Sequence, residues 1–498
     1  MSSARSWPAR MIIPAVLGIL LLSPLGFAHA YYSGESAALE LGQPAGASQF
    51  TTSSVATTAS GLNYPHDVAF DHSGNLWVTD SENSRILEYA YPFSDGQAAT
   101  VEIGQPAGAG AFTTRLDPSP PTAGSLSYPE HIAFDSSGNL WVADDGNDRV
   151  LEFVPGTSGC AAGHLCNGMA ASLVLGQSSF TTSRSGTNAS DFFHPKALAF
   201  DPSGNLWVVD TTNDRVLEFA HPFSTDEAAS TVIGQSSFTT RANPSPPTAS
   251  SLSSPKDVAF SGGDLWVADN NARVLEYIPG TGECPEGQLC TGMSASIEIG
   301  QAPGEGAFTS NACDIGASSV CDIDGIAFDP SGNLWVGDHG NDRVLEFAVG
   351  SLGTDGPSAS VVIGAPNFTT DSDSTTQSTL QGPSGLTFDS SGNLWVSDNF
   401  NMRVLEFTDL AAPPPSPPSA TPVCPGTAGG ILMPAGATFT YGSNTFVAPS
   451  GSDGAGGHWS SYLFQGAQGA IPQPMMQGWA GVYGTYQGQQ GWIVTFYC

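Results

Sequence analysis

The 498-residue chain predicts an all-β fold, a six-bladed β-propeller followed by a small C-terminal β module. Three observations carry this expectation. The tripeptide Leu-Trp-Val returns six times, centred on Trp77, Trp141, Trp207, Trp266, Trp335 and Trp395, at intervals of 59 to 69 residues. Each return lies inside one longer phrase, fullest from Pro195 to Phe219 as P-K-A-L-A-F-D-P-S-G-N-L-W-V-V-D-T-T-N-D-R-V-L-E-F. The last copy, finally, lacks a strand that the start of the chain supplies. Repetition at this length is the signature of a repeat architecture.

Each copy reads as four short strands. The first is an apolar run ending in A-F-D, Val68–Asp71 in copy 1. An S-G-N turn, whose Gly and Asn tolerate positive φ, reverses the chain into the Leu-Trp-Val strand; copy 4 has G-G-D there. The connection D-x-x-N-x-R leads to a third strand, V-L-E-F/Y. The fourth is V-x-I-G-Q, at Val101–Gln105, Leu173–Gln177, Thr231–Gln235, Ile297–Gln301 and, with Ala for Gln, Val361–Ala365. Four-stranded units repeated about an axis make a propeller. Copy six stops after Val404–Phe407. Its missing strand stands at Ala38–Thr52, A-L-E-L-G-Q-P-A-G-A-S-Q-F-T-T, which parallels T-V-E-I-G-Q-P-A-G-A-G-A-F-T-T in copy 1. An N-terminal strand is therefore expected to complete blade 6 and remove two open sheet edges.

The remaining segments are assigned by composition. Residues 1–30 read as a signal peptide: Arg5 and Arg10, the apolar stretch Met11–Leu22, then Ala28-His29-Ala30 before Tyr31. Residues 38–410 are the propeller, 411–423 a stiff Pro-rich linker, and 424–498 a Gly-rich module without Lys or Arg. Its Trp459, Tyr462, Trp479, Tyr483, Tyr486 and Trp492 suit core packing or a sugar-stacking face. No later segment of the mature chain resembles a membrane span. The expected protein is secreted or periplasmic, and a monomer.

Without residues 1–30 the chain has 11 basic against 46 acidic residues, a formal charge of −35. Such a surface repels nucleic acid and anionic membrane and attracts cations or basic partners; it also confers solubility. Eight cysteines in an exported chain predict disulfides. Cys160–Cys166 and Cys284–Cys290 occupy equivalent loops of copies 2 and 4, Cys313–Cys321 brackets another connection, and Cys424 and Cys498 bracket the C-terminal segment.

The phrase P-x-x-[VIL]-A-F-D-x-S-G-N-L-W-V-x-D-x-x-N-x-R-V resembles the NHL repeat, across residues 38–410. The resemblance implies a propeller fold and, among its members, protein-binding or RNA-binding platforms and a few enzymes. Peptidyl-amidating and streptogramin lyases, which the chain resembles in repeat type, use channel-centred His and metal. In that reading His66, His131 and His339 would hold a divalent ion such as zinc beside Asp67, Glu130 or Asp324.

Function is sought where the copies differ. The Asp/Asn/Arg sets, such as Asp80, Asn83 and Arg85, recur in all six and read as scaffold. The two positions after the residue that opens each first strand vary: His66-Asp67, Glu130-His131, Lys196-Ala197, Lys256-Asp257, Asp324-Gly325 and Ser384-Gly385. First strands line a propeller's channel, so these residues are expected at its mouth. Lys196 and Lys256 are the chain's only lysines. Three roles compete for this ring: charge balance, binding of an anionic group such as a carboxylate or uronate, and the metal site. The sequence favours a binding module for a protein, glycan or small anionic ligand at the mouth, not an enzyme and with no assured cofactor. The alternative is a metal-dependent lyase or hydrolase at the same place.

Overall fold

A computed structural model describes residues 31–46, 49–108, 110–301 and 308–408, and the backbone of six strands between Gly430 and Phe496. Six four-stranded antiparallel sheets form the blades. Their first strands are Pro65–Phe70, Pro129–Phe134, Pro195–Phe200, Asp257–Ser261, Ile323–Phe328 and Pro383–Phe388. In blade 6 the outermost strand is Leu39–Leu41, which pairs antiparallel with Arg403–Phe407 in the register Leu39 to Glu406 and Leu41 to Val404.

The repeated residues explain how the blades join. Each Leu-Trp-Val tryptophan meets the Phe of the next blade's A-F-D edge to face. The centroid separations are 5.9 Å for Trp77–Phe134, Trp141–Phe200 and Trp207–Phe260, and 5.5 Å for Trp266–Phe328. Trp335–Phe388 and Trp395–Phe70 follow at 5.8 Å, and the last of these joins blade 6 to blade 1. Such contacts add roughly 0.5–1.5 kcal/mol each beyond the area they bury. The indole N–H groups of Trp77, Trp141, Trp207 and Trp335 donate to the A-F-D aspartate of their own blade. That aspartate also organises the following turn: Asp71 Oδ1 accepts from the backbone N–H of Ser73 and Asn75, at 2.8 and 2.9 Å. Its oxygens serve the hairpin, as an Asx turn requires.

The six Asp/Asn/Arg sets are buried. Each arginine is fully inaccessible, with its Nε donating to the aspartate at 2.6–2.8 Å. Arg85 Nη2 adds donations to the carbonyls of Thr58 and Gly61. The other aspartate oxygen accepts the N–H of the residue two before each entry proline (Ile323 in blade 5): Asn63, Ser127, Phe193, Ser253, Cys321 and Gln381, at 2.6–2.7 Å. The scaffold sets thereby fix the loops that lead into the channel.

Disulfides join Cys160 to Cys166, Cys284 to Cys290 and Cys313 to Cys321. Gly430–Met433, His458–Trp459, Trp479–Tyr486 and Gln489–Phe496 form one antiparallel sheet, and Thr438–Tyr441 with Asn444–Val447 a hairpin. Cys424, Cys498, the expected signal at 1–30 and the expected linker at 411–423 lie outside the described residues. Among the described residues no helix is long and apolar enough to cross a membrane.

Candidate functional site at the channel mouth

The first strands open with an irregularity. In blades 1, 2, 3, 5 and 6 the register slips just after the opening residue, for example between Pro195 and Ala197. A bulge of this kind re-aims side chains. Consecutive residues, which would alternate in a regular strand, both face the axis here, and the variable pairs build two stacked rings.

The outer ring holds His66, Glu130, Lys196, Lys256, Asp324 and Ser384, and Asp324 is its hub. Its Oδ1 lies 3.0 Å from Lys196 Nζ, across the channel, and 3.5 Å from Lys256 Nζ. Its Oδ2 lies 3.6 Å from His339 Nδ1 and 3.9 Å from His66 Nε2. His66 Nδ1 in turn meets Glu130 Oε2 at 3.0 Å, and Lys196 stands 3.6 Å from the same oxygen. Lys256 also approaches Asp322 at 3.8 Å. Burial alone would raise the Asp324 carboxyl, but Lys196, Lys256, His66 and His339 outweigh it and hold the group well below the usual carboxylate range. For Lys196 burial opposes the charge, and Asp324 and Glu130 more than restore it, so its pKa rises. Burial lowers His66 despite Glu130.

The inner ring is Asp67, His131, Ala197, Asp257, Gly325 and Gly385. His131 bridges two blades: its Nδ1 lies 3.5 Å from Asp67 Oδ2 and its Nε2 3.5 Å from Asp257 Oδ1. Both aspartates also accept backbone N–H groups of neighbouring blades, from Ile132 and Ile326. Those bonds do not offset burial, which pushes Asp67 up to about 7 and Asp257 up to about 6. Burial lowers His131, with Asp257 and Glu130 opposing. On the opposite side the glycines let backbones touch. A Cβ on Gly325 would sit 1.9 Å from the Ser384 carbonyl oxygen, and one on Gly385 2.5 Å from Asp67 Cα. The inner ring is thus lopsided, with blades 5, 6 and 1 in backbone contact and its side chains supplied by Asp67, His131, Ala197 and Asp257 of blades 1 to 4.

All eight expected mouth residues are brought together, and His339 joins them through Asp324. The three histidines do not converge: His66 and His339 address Asp324, whereas His131 lies between the inner aspartates. Among the described residues no group of three or more His, Cys, Asp or Glu side chains is arranged to hold a metal ion. The His66, His131 and His339 set therefore does not fit the single site that the resemblance implied, and no chemistry is derived through it.

A third ring was missed by comparing only the residues after the opening proline. The residue before it, Tyr64, Tyr128, His194, Ser254 or Asp322, has φ between +42 and +57°, with Gly382 at +60° in blade 6. Bulky residues rarely adopt this region, and observed strain of this sort collects at functional sites. Neighbouring blades hold it there. His194, Ser254 and Gly382 donate their N–H to Asp148, Asp214 and Asp342 of the preceding blade, and Tyr64 donates to Met402 Sδ. Phe400 meets His339 at 5.1 Å, which sets Tyr64 and Phe400 beside the outer ring. Tyr64 and Tyr128 are 37 % exposed and Phe400 41 %. Tyr64 packs on Phe400 at 5.8 Å, Arg115 lies 5.8 Å over Tyr128, and Arg241 lies 5.9 Å over Phe193. The signal in the sequence was the repeated position itself, Y-P, Y-P, H-P, S-P, D-I and G-P.

The NHL repeat model matches residues 62–89 and 380–407, the strand-one to strand-three phrases of blades 1 and 6. Blades 1 and 6 of this six-bladed propeller carry NHL repeats. Among solved structures, the propeller is similar to selenomethionine-substituted virginiamycin B lyase from Staphylococcus aureus. The identity is 11 % over 69 % of this chain and 94 % of that one, with a TM-score of 0.39. A streptogramin B lyase structure has 13 % identity over 69 % and 93 %, at 0.37. A catalytically inactive virginiamycin B lyase from Staphylococcus aureus with quinupristin has 11 % identity over 74 % and 98 %, at 0.39. No curated protein matches.

Proposed function

We propose that the propeller is an exported interaction module that docks a cationic segment of another protein across its channel mouth. The carrying observation is the rim: exposed Tyr64 and Phe400 pack beside His339, exposed Tyr128 lies under Arg115, and the mouth's lysines are already paired with Asp324 and Glu130. Aromatic faces attract Lys and Arg. The half-buried Glu82 and Asp322, facing Arg115 and Lys256, add acidic charge on a chain whose mature part carries −35. With Lys196 and Lys256 paired internally, an anion would have to displace Asp324, so the outer ring serves charge balance first. The C-terminal segment remains a second contact, with its aromatic residues suited to glycan.

The test is binding to the purified, exported protein, with Arg/Lys-rich peptides and oligogalacturonate as separate probes. The reading expects peptide binding that weakens with salt and falls about tenfold or more in Tyr64→Ala/Tyr128→Ala, since aromatic anchors dominate such interfaces. Uronate binding lost in Lys196→Ala/Lys256→Ala would replace it with the anionic-glycan reading.

One observation favours a second reading. Asp67, near neutrality, faces a His131 Nδ1 that makes no hydrogen bond, a perturbed pair of the kind found at catalytic sites. A lyase or hydrolase at the same mouth would use it for proton transfer. Turnover abolished by Asp67→Asn with folding intact would establish that alternative.

A further inference from the structure

Among the described residues, Glu35 is buried without a counter-ion. It is 1 % exposed, and its Oε1 makes no hydrogen bond. Its Oε2 accepts from Tyr32 N at 3.4 Å, while its own N–H donates to Tyr32 O at 3.2 Å. The carboxylate is folded back over this turn, made possible by Gly34 at φ +77°, and accepts from the backbone nitrogen that follows Tyr31 in the chain. Burial pushes the carboxyl up to about 7, and the Tyr32 backbone bond opposes it; no cationic side chain contributes. A buried polar atom left unsatisfied in a native fold calls for an explanation.

The segment around it is pinned on both sides. The Tyr31 ring meets Trp335 edge to face at 4.8 Å, and its hydroxyl donates to Gly392 O at 2.5 Å. Gly34 N donates to Val362 O, Ser33 Oγ accepts from Val362 N, and Ala37 N donates to Gln377 O. Residues 31–37 thus run along the outer strand of blade 5 (Val361–Ile363) and deliver the chain to blade 6. Tyr31 is also the residue that follows Ala28-His29-Ala30.

We propose that cleavage after Ala30 creates the missing partner: the new α-ammonium of Tyr31 pairs with the free Glu35 oxygen and latches the seam between blades 5 and 6. The inference rests on reading residues 1–30 as an export signal. A signal peptidase hydrolyses the Ala30–Tyr31 amide: water gives its hydroxyl to the Ala30 carbonyl carbon and a proton to the departing Tyr31 nitrogen. The freed amine takes up a further proton near neutral pH, as α-amines do with ordinary values of about 7.7–8.0. The uncut chain has only a neutral amide there, so the latch forms with maturation.

The full chain, exported from a host and purified, is sequenced from its N-terminus. It is then treated with an amine-reactive ester across pH 6–9, with labelling read peptide by peptide. Glu35→Gln and an insertion of two glycines between Ala30 and Tyr31 are treated alongside. The expected result is a start at Tyr31 and an α-amine that labels about tenfold more slowly at pH 6, below both values, than in Glu35→Gln, equivalent to a pKa raised by about one unit. The insertion should match Glu35→Gln in labelling and in lowered Tm, and combining the two should add nothing further. A start at another residue overturns the processing reading. A start at Tyr31 with equal labelling in wild type and Glu35→Gln overturns the pairing alone. Should Glu35→Gln fail to fold, the insertion makes the same comparison with Glu35 intact.

Discussion

Two sets of paired charge lie close together in blades 1 to 5, and they differ in kind. The Asp/Asn/Arg sets are the same six times over, each closed within its own blade and donating to fixed carbonyls. The mouth residues are unlike in every blade and pair across the axis, so that Lys196 of blade 3 reaches Asp324 of blade 5. One ring is redundant and local; the other is a single network with one hub. A defect in the first should cost folding. A defect in the second should cost less folding but alter how the mouth responds to pH and ligand.

The largest effect is expected for Arg215→Met. It leaves Asp210 fully buried without its cation and frees the carbonyls of Asn188 and Asp191. Breaking one partner of a buried pair costs about 3–5 kcal/mol, to be read as a lower urea midpoint. Next comes Gly325→Ala, whose methyl would overlap the Ser384 carbonyl oxygen at 1.9 Å. Backbone cannot swing aside as a side chain can, so overpacking of about 1–3 kcal/mol is expected. If Gly325→Ala proved neutral, the lopsided closure of the channel would be wrong.

Asp324→Asn and Asp67→Asn separate the two mouth rings by pH. The Asp324 carboxyl is depressed on folding, so its stabilisation is present above the unfolded value near 3.9 and lost as pH falls through the lower folded value. Asp67 is raised to about 7, so the folded state holds its proton more tightly. Its contribution is complete below about pH 4 and is lost as pH rises to 7. Unfolding followed from pH 3 to 8 should therefore show Asp324→Asn losing least relative to wild type at the acid end. Asp67→Asn should gain on wild type between pH 4 and 7, by up to roughly 1.4 kcal/mol per unit. A flat difference for Asp67→Asn would remove the inner ring as a titrating element.

The sequence made the blades legible because six copies agree, and residues that agree are the ones whose neighbours are also repeated: Trp77 on Phe134, Asp80 on Arg85. The mouth was legible only as a place. That Lys196 and Lys256 share one carboxylate depends on the channel's diameter, which follows from Gly325 and Gly385 drawing blades 5, 6 and 1 together. No local pattern encodes that approach. The separation of His131 from His66 and His339 had the same origin, since a bulge decides which ring a residue joins. Tyr64 and Tyr128 were hidden differently. Their importance lies in a backbone conformation imposed from the preceding blade, and a tyrosine before a proline does not announce it.

The smallest stability effect is expected at the rim, where it is most informative. Arg115→Ala removes an ion pair to Glu82 at 3.3 Å, with both side chains more than a third exposed. Exposed pairs of this kind are worth about 0–1 kcal/mol, so Tm should scarcely move. Binding should. The substitution deletes a positive charge from the face and uncovers the Tyr128 ring that the guanidinium overlies. A cationic peptide would meet less repulsion and a free aromatic surface, and its affinity should hold or rise. An anionic oligosaccharide would lose an attractive charge and bind more weakly. Titrating both probes against Arg115→Ala and wild type at low and physiological salt gives the sign directly. Weakened binding of the cationic peptide would overturn this expectation and mean that Arg115 itself touches the partner.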